Sequence, residues 1–116
     1  MNKFKLRPAY RSKELLIEFT SGPEKHNFLS VLEAALSPIK AVITNSKDLW
    51  MNDEILYEVN SNLGIFQISM DNWGFAFIMS EDNQKLIREI DSILNENPAF
   101  EKEKVNFKEY ELKSDE

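Results

Sequence analysis

Residues 55–79 read ILYEVNSNLGIFQISMDNWGFAFIM, and this stretch decides the fold of the chain. Apolar residues recur at every second position, a pattern typical of β-strands, in three runs: Ile55–Val59, Ile65–Met70 and Trp73–Met79. The connections are Asn60–Asn62 and Asp71–Asn72. Asn and Asp tolerate the positive φ that two-residue hairpin turns require. We therefore predict an antiparallel meander of three strands, with the hairpin 65–79 at or near the centre of a sheet.

One amphipathic helix is predicted on each side of this meander. Before it, Ser21–Glu24 has the composition of a helix start, with a cap candidate, a proline and an early acid. The residues that follow have helical spacing, which predicts a helix near 23–36 with the apolar stripe Phe28, Val31, Leu32, Ala35 and Leu36. After the meander, a second stripe predicts a helix near 81–95 and consists of Leu86, Ile87, Ile90, Ile93 and Leu94.

The remaining segments complete the predicted architecture. Three further strands are expected, at Glu14–Phe19, Ala41–Thr44 and Val105–Leu112. Segments outside these elements are interpreted as an irregular basic lead-in at 1–13, a polar loop at Asn45–Asp53 and a frayed tail at 113–116. The predicted fold class is α+β, a single antiparallel sheet of about five or six strands covered by two helices, in the order β-α-β-β-β-β-α-β. A chain of 116 residues fits one domain.

Composition narrows the setting in which the protein works. The chain has no cysteine, which excludes disulfides, thiolate metal sites and a cysteine nucleophile. The absence of disulfides favours a reducing compartment. The basic N-terminus has no apolar stretch behind it, as a signal peptide would, and no apolar run approaches the ~20 residues needed to span a bilayer. We therefore expect a soluble, cytoplasmic protein without a membrane partner.

Charge is unevenly distributed along the chain. The net charge is −6, yet residues 1–13 hold five bases and no acid. Residues 41–83 hold seven acids against the single base Lys47, which leaves this block at −6. An acidic surface repels phosphate backbones and attracts basic partners. Nucleic acid is therefore not the expected main ligand, and the basic N-terminal segment is expected to pair with the protein's own acids.

Motifs for catalysis or cofactor binding are not found in the sequence. His26 is the only histidine, and it has no motif companions for acid–base work or metal binding. The three glycines are scattered and build neither phosphate-loop pattern. The acids do not follow the spacing of a calcium loop and are expected to form a solvated face. The sequence thus predicts a protein that is not an enzyme and holds no cofactor or metal.

The best functional signal lies in the segment Ser46–Glu54, SKDLWMNDE. Here Trp50 and Met51 interrupt a polar stretch that also carries Asp48, Asp53 and Glu54. Apolar anchors with a charged rim are what a protein-binding patch needs. Asp71, at a predicted hairpin tip, can project toward the same partner. The predicted partner-binding residues are Asp48, Trp50, Asp53, Glu54 and Asp71, although Trp50 could instead plug the end of the core.

About half of the chain, from Glu54 to Tyr110, resembles the small bacterial immunity proteins of contact-dependent growth inhibition and related polymorphic toxin systems. The residues that carry the resemblance are Gly64–Ile78, Ile93–Phe100 and Val105–Tyr110. The resemblance implies a small, acidic, non-catalytic protein that neutralises a cognate toxin, frequently a basic nuclease, by covering its active site or substrate surface. It assigns no individual site residue.

Two other readings remain open at the level of sequence. One is a small enzyme or ligand-binding domain with a pocket between the sheet and the helices. The other is a self-associating accessory protein whose exposed strand edge pairs with itself. A pocket lined by convergent polar groups would favour the first, and a large isologous apolar interface would favour the second. The sequence leaves the oligomeric state undetermined.

Overall fold

The computed structural model describes residues 2–8, 14–23, 25–71, 74–80 and 83–105. In chain order, the strands are β1 Asn2–Pro8, β2 Leu15–Ser21, β3 Val42–Leu49, β4 Glu54–Ser61, β5 Gly64–Asp71, β6 Ala76–Met79 and β7 Phe100–Lys102. Helix α1, Phe28–Ala35, lies between β2 and β3, and helix α2, Gln84–Glu96, lies between β6 and β7. Two single turns of 3-10 helix span Ser37–Ile39 and Trp50–Asn52.

All the strands described belong to one sheet with the order β3-β4-β5-β6-β2-β1-β7. The predicted α+β class, with one sheet and two helices, is confirmed, and the β5–β6 hairpin lies third and fourth in the order. The sheet has seven strands and is mixed, so the prediction of five or six purely antiparallel strands is wrong. Strand β7 pairs parallel with β1. It does so because β6, α2 and β7 form a crossover, and a helix is the usual connection between parallel strands.

The basic lead-in predicted at 1–13 is wrong for residues 2–8, which form β1. Phe4 and Leu6 point toward the core and pair with Phe19 and Ile17 of β2. The basic side chains of β1 alternate onto the opposite face of the sheet, where Lys5 and Arg7 lie 3.8 and 2.6 Å from Glu18 Oε1. The N-terminal positive charge thus pairs with the protein's own acids.

Two more predicted boundaries are wrong. The predicted polar loop Asn45–Asp53 is strand as far as Leu49, because β3 is an edge strand whose polar side chains can face solvent on both sides. Helix α1 begins at Phe28, later than the predicted 23.

The start of β6 also differs from the prediction, and most of the predicted last strand lies outside the described residues. Strand β6 begins at Ala76, so the connection after Asp71 is longer than the two residues predicted. The predicted strand Val105–Leu112 begins at a residue that is not in a strand, and residues 106–116 lie outside the described residues.

Both helices pack on one face of the sheet. Strand residues Ile17, Phe19, Phe66, Ile68 and Ile78 are at most 3% exposed and form this face of the core. Helix α2 buries four of its five predicted stripe residues, Leu86, Ile87, Ile90 and Leu94. Helix α1 contributes Phe28, Leu32 and Ala35. Neither described helix has the length and apolar character of a membrane span.

Candidate functional site

Seven residues lie where β3, β4 and β5 reach one end of the sheet, and we call them the acidic–aromatic end: Asp48, Trp50, Met51, Asp53, Glu54, Asp71 and Phe75. Strands β3 and β4 pair in the register Asp48↔Ile55 and Leu49↔Glu54. Strand β5 continues the row, with Asp71 opposite Glu54. The structure therefore brings all five predicted site residues to the same end of three adjacent strands.

Local turn chemistry holds Trp50 at this end. The chain leaves β3 through the 3-10 turn Trp50–Asn52, in which the N–H of Asp53 donates to the carbonyl of Trp50 at 3.3 Å. Asp53 ends the turn in the left-handed region with φ 53°. Asp enters this region more readily than most residues with a side chain. The turn allows β3 and β4 to pair directly while Trp50 and Met51 project away from the sheet.

The apolar side chains of this end are exposed. Trp50 is 73% exposed and Met51 80%. The interpretation of Trp50 as a plug for the core is therefore wrong. An exposed tryptophan beside an exposed methionine forms an apolar patch with a charged rim, which is the composition of a protein-binding surface.

Two of the acids at this end are adjacent on neighbouring strands. Glu54 and Asp71 lie directly opposite each other on neighbouring strands, where Cβ atoms are separated by about 4.5–5.5 Å. Like charges in this position destabilise a sheet. Asp48, Asp53 and Glu54 form no ion pair with any residue that the structure describes. These three carboxylates can pair with a cationic group from outside the chain.

Phe75 belongs to this end, but sequence reasoning missed it. It lies in an apolar strand segment, which favours burial, yet it is 44% exposed. The segment Phe75–Met79 is apolar at every position, so alternation cannot choose a face. The structure turns Ala76 and Ile78 into the core, because the small Ala76 fits opposite the ring of Phe19. Phe66, on the neighbouring strand β5, is buried.

A second turn fixes the position of Phe75. The carboxylate Oδ1 of Asp71 accepts a hydrogen bond from the N–H of Phe75 at 3.0 Å. In return, the N–H of Asp71 donates to the carbonyl of Phe75 at 3.2 Å. Asp71 thereby has a structural role as well as a surface position.

A second candidate site is a groove of about 820 Å³ on the face of the sheet opposite the helices. Its lining includes the apolar residues Leu16, Leu56, Ile65 and Met79 and the polar residues Glu14, Gln67, Ser80, Asn83 and Gln84. The side-chain amides of Gln84 and Asn83 are engaged by the protein backbone. Gln84 Oε1 accepts from the N–H of Leu15 at 2.6 Å, and Asn83 Nδ2 donates to the carbonyl of Leu63 at 2.7 Å. These amides do not converge on a ligand position.

The remaining candidates for chemistry among the described residues are His26 and groups of acids that could hold a metal ion. His26 is exposed in the turn before α1. No group of three or more His, Asp or Glu side chains within the described ranges could hold a metal ion.

Comparison with protein-family models, with curated proteins and with solved structures finds no match to this chain. Support for a function comes from the geometry and charge of the acidic–aromatic end.

Proposed function

We propose that this protein is an immunity-type binding protein that neutralises a cognate toxin by stoichiometric occlusion. The toxin is a basic domain, of which a nuclease is one form, and the protein performs no catalysis. The observation that supports this most is the exposed Trp50 beside three acids that lack an ion-pair partner among the described residues. The hypothesis of a ligand-binding domain is less well supported, because the side-chain amides of Gln84 and Asn83 in the groove bond the protein's own backbone.

Electrostatics suits this activity. A surface that concentrates one sign of charge raises the association rate with an oppositely charged partner by about 10–10³-fold at low salt. Rapid capture matters for an inhibitor, since the toxin acts until it is bound. Carboxylates can also occupy the positions at which a nuclease would hold phosphates. The basic side chains of β1 differ from these acids, because Lys3, Lys5 and Arg7 pair with acids of the same chain. This difference supports a role for the acids in binding a partner.

Charge removal tests the function directly. The combined variant Asp48→Asn, Asp53→Asn and Glu54→Gln should lower the association rate with the proposed basic toxin domain about tenfold or more at low ionic strength. The difference from the wild type should shrink as salt is added, because exposed charges are screened. Asparagine keeps the tolerance of position 53 for positive φ, so the turn is retained. Stopped-flow association and co-expression growth rescue measure the effect.

A matched control removes three acids elsewhere. Glu33 on α1 and Glu89 and Glu96 on α2 are exposed, and their replacement by glutamine changes the net charge by the same amount. This variant should keep most of the wild-type association rate. If the two triple variants bind equally, or if the wild type fails to protect cells from the toxin, the proposed function is wrong.

A further inference from the structure

The outer edge of β3 offers backbone groups that the sheet does not use. β3 is the first strand in the sheet order, so one of its edges has no neighbouring strand among the described residues. Six of its eight residues are exposed and the other two are half-buried. A long, exposed edge is a template for another strand, and natural proteins commonly block it.

The first half of this edge is blocked by side chains. The N–H of Ile43 donates to Glu33 Oε2 at 3.3 Å. The N–H of Ser46 donates to Asn45 Oδ1 at 2.9 Å. Both bonds involve amide groups on the outer edge, which would otherwise be available to a further strand.

The second half of the edge is open. In an antiparallel strand, alternate residues direct their N–H and C=O groups to the same edge. Asp48 therefore follows Ser46 in presenting its backbone outward, and no side chain among the described residues bonds its N–H. The open segment Lys47–Leu49 adjoins the acidic–aromatic end directly. Backbone hydrogen bonds and acidic side chains are thus available at the same place.

Charge argues against a second copy of this chain as the occupant. Antiparallel self-pairing centred on Asp48 would place Asp48 opposite its own copy. Self-pairing centred on Lys47 would place two lysines opposite each other. Like charges directly opposite are destabilising, whereas opposite charges contribute roughly 0.2–1 kcal/mol per pair. The edge therefore fits a different chain that carries cationic side chains.

We propose that Lys47–Leu49 accepts an extended segment of the partner as an additional strand, with a lysine or arginine of that segment opposite Asp48. This inference rests on the proposed function, because it specifies how the basic partner docks. In strand addition, main-chain hydrogen bonds supply affinity and alternate side chains supply specificity. Trp50 and Met51, immediately after the open segment, then contact the partner beyond the paired residues.

A peptide titration tests the pairing without the toxin. The probe is acetyl-TKTKTKT-amide, which places lysines on one face of an extended strand, added to the full ¹⁵N-labelled chain. Amide chemical shifts should change at Lys47–Leu49 and little at Ile43–Ser46. The analogue acetyl-TETETET-amide should not bind. Two further analogues are N-methylated at every second residue, one at the odd positions and one at the even positions. N-methylation removes N–H donors, and alternate residues direct their N–H groups to opposite edges of a strand. Only the analogue that has lost the donors facing β3 should therefore lose binding.

Edge prolines provide the matched test on the protein side. Proline is tolerated on an edge strand where its missing N–H faces outward. Asp48→Pro should weaken peptide binding about tenfold relative to Asp48→Asn, which removes the same charge but keeps the N–H. Ser46→Pro should change binding less than twofold, since its N–H is already bonded by Asn45.

The outcomes separate this inference from the proposed function. Equal binding of both N-methylated analogues, equal binding of the Asp48 variants, or absence of shifts at Lys47–Leu49 would overturn strand addition. If the triple charge-removal variant still loses toxin affinity, the proposed function survives that result. If strand addition is overturned and the triple charge-removal variant also binds the toxin as the wild type does, both the inference and the proposed function are wrong.

Discussion

Replacement of Phe19 by alanine should lower the free energy of unfolding by about 3–5 kcal/mol, the cost of truncating a fully buried phenylalanine. Phe19 is 0% exposed, and its ring contacts three others that come from different elements. The centroid distances are 5.0 Å to Phe28 of α1, 6.3 Å to Phe4 of β1 and 6.1 Å to Phe100 of β7. Removing the ring leaves a cavity at the point where helix, central strand and parallel edge strand meet. Denaturant unfolding monitored by tryptophan fluorescence and circular dichroism measures the change.

Phe75→Ala is the matched control for this truncation. Phe75 is the same residue type but 44% exposed, so its loss should cost about 1 kcal/mol or less. Similar losses for the two variants would show that the four-ring cluster around Phe19 is not the centre of the core. Amide exchange at Phe100–Lys102 adds a second readout, because β7 should lose protection when Phe19 is truncated.

Sequence periodicity predicted the parts of the fold that have one apolar face. Leu15, Ile17 and Phe19 share one strand face at a period of two, and the stripe of α2 has helical spacing, so the sequence predicts both elements. Periodicity failed where both faces of a strand are alike. Phe75–Met79 is apolar on both sides and Thr44–Asp48 of β3 is polar on both sides, so in neither stretch does the two-residue period identify the buried face.

The errors in the first and last described strands, β1 and β7, have a different cause. In β1, the apolar residues Phe4 and Leu6 were present, but five bases and a proline in residues 1–13 concealed the alternation. Whether those bases face solvent or an acid such as Glu18 depends on a strand partner distant in sequence. The parallel β1–β7 pair likewise depends on the crossover through α2 rather than on local pattern.

The candidate site was predictable because its residue types conflict with their local context. Trp50 and Met51 are large apolar residues in a polar segment, and a role in the core does not explain their position. What the sequence could not supply is the cross-strand register that places Asp71 opposite Glu54, or the turn that keeps Phe75 beside them. Both depend on hydrogen bonding between strands.

Trp50→Ala carries the largest expected effect on binding. A tryptophan anchor at the centre of an interface contributes ~2 kcal/mol or more, so the toxin dissociation constant should rise about 30-fold. Most of the change should be in the dissociation rate, because apolar contacts form after the encounter that charge directs. The melting temperature should stay within about 2 °C of the wild type, since Trp50 is 73% exposed and packs little against the core.

The control for Trp50 is Leu63→Ala, an exposed apolar residue in the β4–β5 turn at the opposite end of these strands. Leu63→Ala should leave toxin affinity unchanged, so that a loss confined to Trp50→Ala locates the interface at the acidic–aromatic end. A fall in melting temperature together with affinity would mean that Trp50 supports the fold. Unchanged affinity in a folded Trp50→Ala variant would place the contact surface elsewhere, with the exposed face of α2 as the next region to test. Combining Trp50→Ala with the triple charge-removal variant separates the two contributions, because residues that act independently at an interface give additive free energies.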